Sequence, residues 1–291
     1  MIKRAVIVGG AGAVGGLFAR RLREAGATVT VVDTAEPATR EGDVRQVRGD
    51  VTCLDFRTAA ELGHADLVVL ALPEDVALAA VGGVAAELRP DALLVETLSV
   101  KQPITEAVRR HAPGVQAVGL NPMFAPSLGF EGRPVAAVSI NEGPRTAEFI
   151  ELVGDWGATV IEVDETEHDR LAAATQALTH AAVLGYGLAL GELGIPLEQL
   201  SPLAPPPAHT MLALLARITS ASPEVYWDVQ SANPAADAAR KALADGVRRV
   251  ADLVEHGHAP DFAAALTELR DYLGEGREHY GDTCARLFQH V

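Results

Sequence analysis

The run Val6-Ile-Val-Gly-Gly-Ala-Gly-Ala-Val-Gly15 restricts the fold of this chain more than any other segment. An apolar strand has to stop, turn sharply and enter a helix within a few residues. Gly10, Gly12 and Gly15 follow the spacing Gly-x-Gly-x-x-Gly. Glycines at those positions permit the tight turn, let backbone approach a pyrophosphate, and let helix pack close to strand. Ala13 and Val14 open the helix, whose N-terminal end then faces the phosphates with its positive dipole. Asp33 ends the next apolar run, 18 residues beyond Gly15, close to the roughly 20 expected for a ribose-binding carboxylate. A carboxylate there accepts from both ribose hydroxyls and repels a 2′-phosphate, which favours NAD over NADP. Arg40, the nearest downstream cation, lies too far along to reverse that preference.

Further apolar runs follow: Val29–Val32, Leu67–Leu72, Leu93–Val95, Val115–Val118, Val135–Ser139 and Val160–Val163. Helical stretches such as Val14–Ala25 and Ile104–His111 lie between several of them. This alternation predicts an α/β fold, a Rossmann-type parallel sheet with helices on both faces. Sites in such sheets gather at the carboxyl ends of strands. The glycine turn, Leu72 and Pro73, Ser99 and Asn121 should therefore share one edge. After about Thr166 the pattern becomes helical, with helices expected at 167–192, 207–220, 234–256 and 260–273. Asn233 suits an N-cap, Pro234 the first turn and Gly257 the position past the end of the third of these. Leu243, Val247, Val250 and Val254 form one apolar stripe along it. The expected domains are 1–165, binding the dinucleotide, and 166–291, an all-α domain for substrate binding and dimerisation.

A net charge of −15 disfavours nucleic acid or an anionic membrane as partner. Cys53 and Cys284 are too few for a disulfide framework or a zinc site, so no metal is expected. No leader is visible ahead of the first strand, and a cytoplasmic protein is expected. Leu171–Gly191 has no Asp, Glu, Lys or Arg. Its Ala, Gly and Thr content, with Gln176 and His180, points to a helix buried on all sides, in a core or a subunit interface, rather than a membrane span.

The segment Asn121-Pro-Met-Phe-Ala-Pro126 adds chemistry to this frame. It is accompanied by Thr97-Leu-Ser-Val-Lys101, Trp156-Gly-Ala158, Glu167-His-Asp169, Gln176-Ala-Leu-Thr-His180 and Arg217-Ile-Thr-Ser-Ala-Ser-Pro-Glu-Val-Tyr226. Together these stretches resemble prephenate dehydrogenases, most of all the dehydrogenase part of enteric mutase–dehydrogenases, over nearly the whole chain. The resemblance implies NAD-dependent oxidative decarboxylation of a dianionic cyclohexadiene, with Ser99 and Asn121 at the reacting carbon. It implies that Arg217 binds a substrate carboxylate, a task suited to a guanidinium fork, and that His180 lines the pocket. Gln176 and Tyr226 are further pocket candidates. His168 and Asp169 are expected to brace the domain junction. The residues alone leave open a capping role for Ser99, a core role for His180 and a surface role for Arg217. No mutase domain is expected ahead of Ala5, and no amino-acid-sensing domain after Val291.

The family's usual stretch reads His-Pro-Met-Phe-Gly-Pro, with the His accepting the proton of the C4 hydroxyl. Asn121 cannot take up a proton near neutral pH, although its amide can accept a hydrogen bond. Ala125 also replaces the usual Gly. The departure fits a C4 amine, whose lone pair pushes harder than a hydroxyl oxygen, and so the 4-amino-4-deoxyprephenate branch of the family, which serves antibiotic pathways. Two other readings stand beside it: a prephenate dehydrogenase of tyrosine synthesis, and an NAD-binding regulator without catalysis. A homodimer through the helical domain is expected.

Overall fold

Strands built from Val, Leu and Ile with no polar side to present must be covered on both faces. The computed structural model, which describes residues 2–35 and 44–289, places them so. The strands are β1 (Arg4–Val8), β2 (Thr28–Asp33), β3 (Arg45–Arg48), β4 (Leu67–Leu70), β5 (Leu93–Glu96), β6 (Gln116–Pro122), β7 (Pro134–Asn141) and β8 (Thr159–Glu162). They form one sheet in the order β3-β2-β1-β4-β5-β6-β7-β8. The first six run parallel, β7 is antiparallel to β6, and β8 is parallel to β7. Order reverses at β1, the point where open α/β sheets bind ligands. Arg40, weighed above for cofactor selectivity, lies outside the described residues.

Alternation along each strand sends successive residues to opposite faces. Val6, Val8, Val68, Leu70 and Leu94 join one core cluster. Its covering helices are α2 (Phe56–Gly63), α3 (Glu74–Glu87) and α4 (Gln102–His111). Ala5, Ile7, Val69, Val95 and Leu120 join the other. That face is covered by α1 (Ala13–Glu24) and α5 (Pro144–Asp155), where Phe18, Phe130, Phe149 and Trp156 meet edge-on or tilted, with centroids 5.1–6.0 Å apart.

The chain divides into two compact units, one of Met1–Ala172 with Ser231–Asn233, the other of Ala173–Gln230 with Pro234–Val291. The first unit thus continues past residue 165 to include α6 (Glu165–Ala172). A π-helical turn, Ala173–Ala177, follows at once.

The second unit holds α7 (Leu178–Leu193), α8 (Leu197–Leu200), α9 (Pro206–Thr219), α10 (Pro223–Ser231), α11 (Ala236–Glu255), α12 (Ala259–Leu273) and α13 (Gly276–Phe288). Within the single chain the long apolar helix is not a core helix, one of the two settings expected for it: Val183 is the one buried residue of α7, and Leu188 is 75% exposed. The stripe on α11 is open too, with Val247, Val250 and Val254 all exposed. Asn233 does not cap α11, which has Ala235 at its N-cap. Its Nδ2 donates instead to the Asp169 carbonyl, 2.9 Å away, and the side chain is buried there. Among the described residues no single helix is long and apolar enough to cross a membrane.

Candidate active site

The glycine turn is shaped by close approach. Gly9 has φ +79°, and a Cβ there would lie 2.0 Å from the Ala71 carbonyl oxygen. A Cβ on Gly15 would lie 2.4 Å from the Gly9 oxygen. Both neighbours are backbone, so neither can swing away. Gly12 takes the N-cap of α1 with no side-chain cap, and Ala13 and Val14 follow as its first turn. The first N–H groups of α1 are therefore left for an anion. Asp33 reaches back to this turn: Oδ2 accepts from the Ala11 N–H at 2.9 Å and Oδ1 from the Ala35 N–H at 2.9 Å. Each oxygen keeps a lone pair for a ribose hydroxyl. Leu72 and Pro73 leave the end of β4 beside Gly9, with Pro73 at the N-cap of α3. A cavity of about 330 Å³ adjoins the turn, lined by Gly10, Gly12, Arg20, Val31, Pro126 and Ser127 among others. Arg20 and Ser127 carry no motif that would have marked them in the sequence. The cradle, the open helix end and Asp33 together fit a dinucleotide.

Two strands along, Ser99 and Asn121 are held by a buried polar frame. Ser99 is half-buried in the bend between β5 and α4, and it does not cap α4, whose N-cap is Lys101. Lys101 is fully buried, as is its partner Glu96. Lys101 Nζ lies 2.8 Å from both Glu96 oxygens and also donates to the carbonyls of Leu98 at 2.7 Å and Leu120 at 3.1 Å. Those carbonyls immediately precede Ser99 and Asn121, so one ammonium fixes the spacing of the two positions. Burial pushes the Glu96 carboxyl up from its usual range, and the Lys101 charge pulls it back. Gly119 has no side chain because Glu96 Oε1 would lie 2.0 Å from its Cβ.

Asn121 itself lies on β6, paired with Ala136 of β7, and is 3% exposed. Its Nδ2 lies 3.1 Å from His168 Nε2. His168 Nδ1 lies 2.8 Å from Asp169 Oδ1. Asp169 is fully buried and also accepts from the N–H groups of Lys101 at 2.8 Å and Gln102 at 2.9 Å. His168 and Asp169 therefore sit inside the first unit in line with Asn121. The Glu167-His-Asp169 stretch was visible, but its partner 47 residues away was not.

The remaining candidates belong to the second unit. His180 and Tyr226 stack edge to face, ring centroids 4.8 Å apart. Burial lowers the His180 pKa, and the Arg217 charge lowers it further. Among the described residues His180 Nδ1 has no hydrogen-bond partner although it is buried, while Arg217 is exposed on the last turn of α9. Gln176 lies half-buried on the π-helical turn that leads into α7.

Two family models match this chain: the prephenate dehydrogenase nucleotide-binding domain over residues 18–138, and the prephenate dehydrogenase dimerization domain over residues 164–268. The chain belongs to the prephenate dehydrogenase family. It is 52% identical over 285 residues to a 4-amino-4-deoxyprephenate dehydrogenase of Streptomyces pristinaespiralis, covering 98% of this chain and 96% of that one. It is 27% identical over 290 residues to the T-protein of Haemophilus influenzae, covering 99% of this chain and 72% of the relative. Among solved structures, prephenate dehydrogenase from Aquifex aeolicus with hydroxyphenyl propionate and NAD+ superposes with TM-score 0.70 at 18% identity, over 97% of this chain and 99% of that one. Arogenate dehydrogenase from Synechocystis gives TM-score 0.65 at 17% identity, over 95% and 99%. These structural matches share the fold.

Proposed function

We propose that this family member converts 4-amino-4-deoxyprephenate to 4-aminophenylpyruvate and CO2, with reduction of NAD. The observation that carries the reading is the carboxamide of Asn121 at the family's histidine position, buried and hydrogen-bonded through Nδ2. The 52% identity with the Streptomyces enzyme supports it.

In the reaction the C4–H bond breaks with its electron pair. The C1 carboxylate leaves as CO2, and the electrons of that bond complete the aromatic ring. When bound, NAD supplies the acceptor for the hydrogen and electron pair lost from C4. The glycine turn and the start of α1 hold the pyrophosphate, and Asp33 the ribose, with Leu72 and Pro73 alongside. Arg217 and His180 hold the anionic groups of the substrate, aided by Gln176 and Tyr226. Ser99 and Asn121 meet the C4 substituent. A hydroxyl there donates well only as its proton departs, so a base contributes about 10²–10⁴-fold. A neutral amine has a stronger lone pair and needs an orienting acceptor rather than a base. An amide oxygen is such an acceptor, and it carries no positive charge to repel an ammonium.

Residues 1–165 are assigned to the nucleotide and residues 166–291 to the substrate and to a second copy of the chain. A homodimer through the helical unit accounts for the apolar faces that the single chain leaves open on α7 and α11. The cytoplasm suits the two exposed free thiols, Cys53 and Cys284.

The test is kcat/KM on the 4-amino substrate and on prephenate, in the wild type and in Asn121→His. The wild type should prefer the amine, and the variant should gain about 10²-fold on prephenate. A wild type that prefers prephenate would place the chain in tyrosine synthesis. NAD binding without turnover of either diene would make it a regulator.

A further inference from the structure

A carboxamide has two chemically opposite ends, and an orienting acceptor works only if the oxygen is the end offered. Neighbouring groups decide which end that is. Asp169 is an acceptor only, and its carboxylate already receives the backbone N–H groups of Lys101 and Gln102. The His168 nitrogen 2.8 Å from it must therefore carry the proton, which makes Nδ1 the donor. In the neutral ring Nε2 is then a bare lone pair. The group 3.1 Å from Nε2 must be a donor, the amide nitrogen of Asn121. Each proton along this line is forced by the acceptor before it. Asn121 Oδ1 receives no hydrogen bond from the described residues and is the end left open.

We infer that His168, held in one tautomer by Asp169, is a positioning residue that turns the Asn121 carboxamide so that its oxygen meets the C4 substituent of the substrate. This rests on the substrate reading given above. His168 touches no substrate in this scheme; it acts through Asn121. The ring is 2% exposed, and burial keeps it neutral with help from the Lys101 charge, against the pull of Asp169. The charged groups facing it are Asp169 on its own helix and Lys101 at the start of α4, the latter paired with Glu96. Protonation of Nε2 would present a second donor to Asn121. The amide would then turn over and offer its N–H groups to an amine that is itself a donor.

The experiment measures kcat/KM on the 4-amino substrate and on prephenate for wild type, His168→Phe and His168→Gln, from pH 5 to 8. Phe fills the site and removes the acceptor, so the preference for the amine should narrow about tenfold, with the KM for NAD unchanged. Gln presents an amide oxygen where Nε2 stood and should recover the preference, at a lower kcat. The wild-type preference should also fall towards acid as His168 protonates, and the Gln variant should lose that part of the pH dependence. The substrate's own amine titrates identically in both proteins, so it cannot produce the difference. This pair also decides the matter if the Phe variant does not fold. An unchanged preference in His168→Phe, or identical pH profiles in wild type and His168→Gln, overturns the inference. A wild type without amine preference overturns the substrate reading instead, so the two failures are distinct.

Discussion

Single residues carry two sharp constraints here. Gly15 faces backbone on two sides, since its Cβ would lie 2.4 Å from the Gly9 oxygen and 2.8 Å from the Gly10 Cα. Gly15→Ala should therefore push α1 off the turn, costing about 1–3 kcal/mol of stability. Calorimetric titration should show NAD binding weakened at least about tenfold, because the helix end that receives the pyrophosphate moves. Lys101 is constrained by charge rather than shape. Lys101→Met leaves Glu96 buried with no cation, and removing one partner of a buried pair costs about 3–5 kcal/mol. Urea unfolding should show that loss. Pairing the change with Glu96→Gln should recover part of it, because the stranded charge is gone. A Lys101→Met protein as stable as wild type would contradict the placement of this pair in the frame behind Ser99 and Asn121.

Elements are joined by ties of the same kind. Asp66 precedes β4, and Oδ2 accepts the N–H groups of Lys3 at 2.8 Å and Arg4 at 2.9 Å, at the start of β1. Oδ1 accepts from Arg89, beyond α3, at 2.7 Å. Partial burial raises the Asp66 pKa, but these donors outweigh it and hold the carboxyl below its usual value. A carboxyl lowered in the folded state contributes stability above the unfolded pKa of about 3.9, and that stability is lost as pH falls through the folded pKa. Asp66→Asn should cost about 1–2 kcal/mol at pH 7. The difference from wild type should close below about pH 4 as the wild-type carboxylate protonates. Thermal melts at pH 7 and pH 3 would measure both halves of that statement, and a gap that widens towards acid would contradict it.

At the scale of the whole molecule the question is what covers the helical unit. Val247 is 64% exposed and Val254 70% exposed, one heptad apart on α11. Light scattering should report a mass of twice 30.5 kDa for the wild type. Val247→Asp with Val254→Asp should shift it to a single chain and lower the melting temperature, since each charge would have to be desolvated in the interface. A wild-type protein that stays a single chain at micromolar concentration would remove the homodimer.

What could be read in advance was whatever local periodicity and backbone chemistry govern. The apolar runs, the glycine spacing and the shift to helical pattern after Thr166 follow from the side-chain period of strands and helices, and they mark out the sheet and its loaded edge. The short strand Arg45–Arg48 was missed because Val47 is its one buried residue. Helices α10 and α13 lack a long apolar stripe and were missed for the same reason. Asn233 looked like a cap by composition, yet a carbonyl 64 positions away claims its amide. Asn121 announced a change of chemistry from its identity alone. Which end of its amide is offered was decided by tertiary structure, because the imidazole that holds it arrives from α6 and the carboxylate that fixes the imidazole is itself fixed by the start of α4. Hydrogen-bond direction belongs to partners brought together by folding, and no local pattern in the chain encodes it.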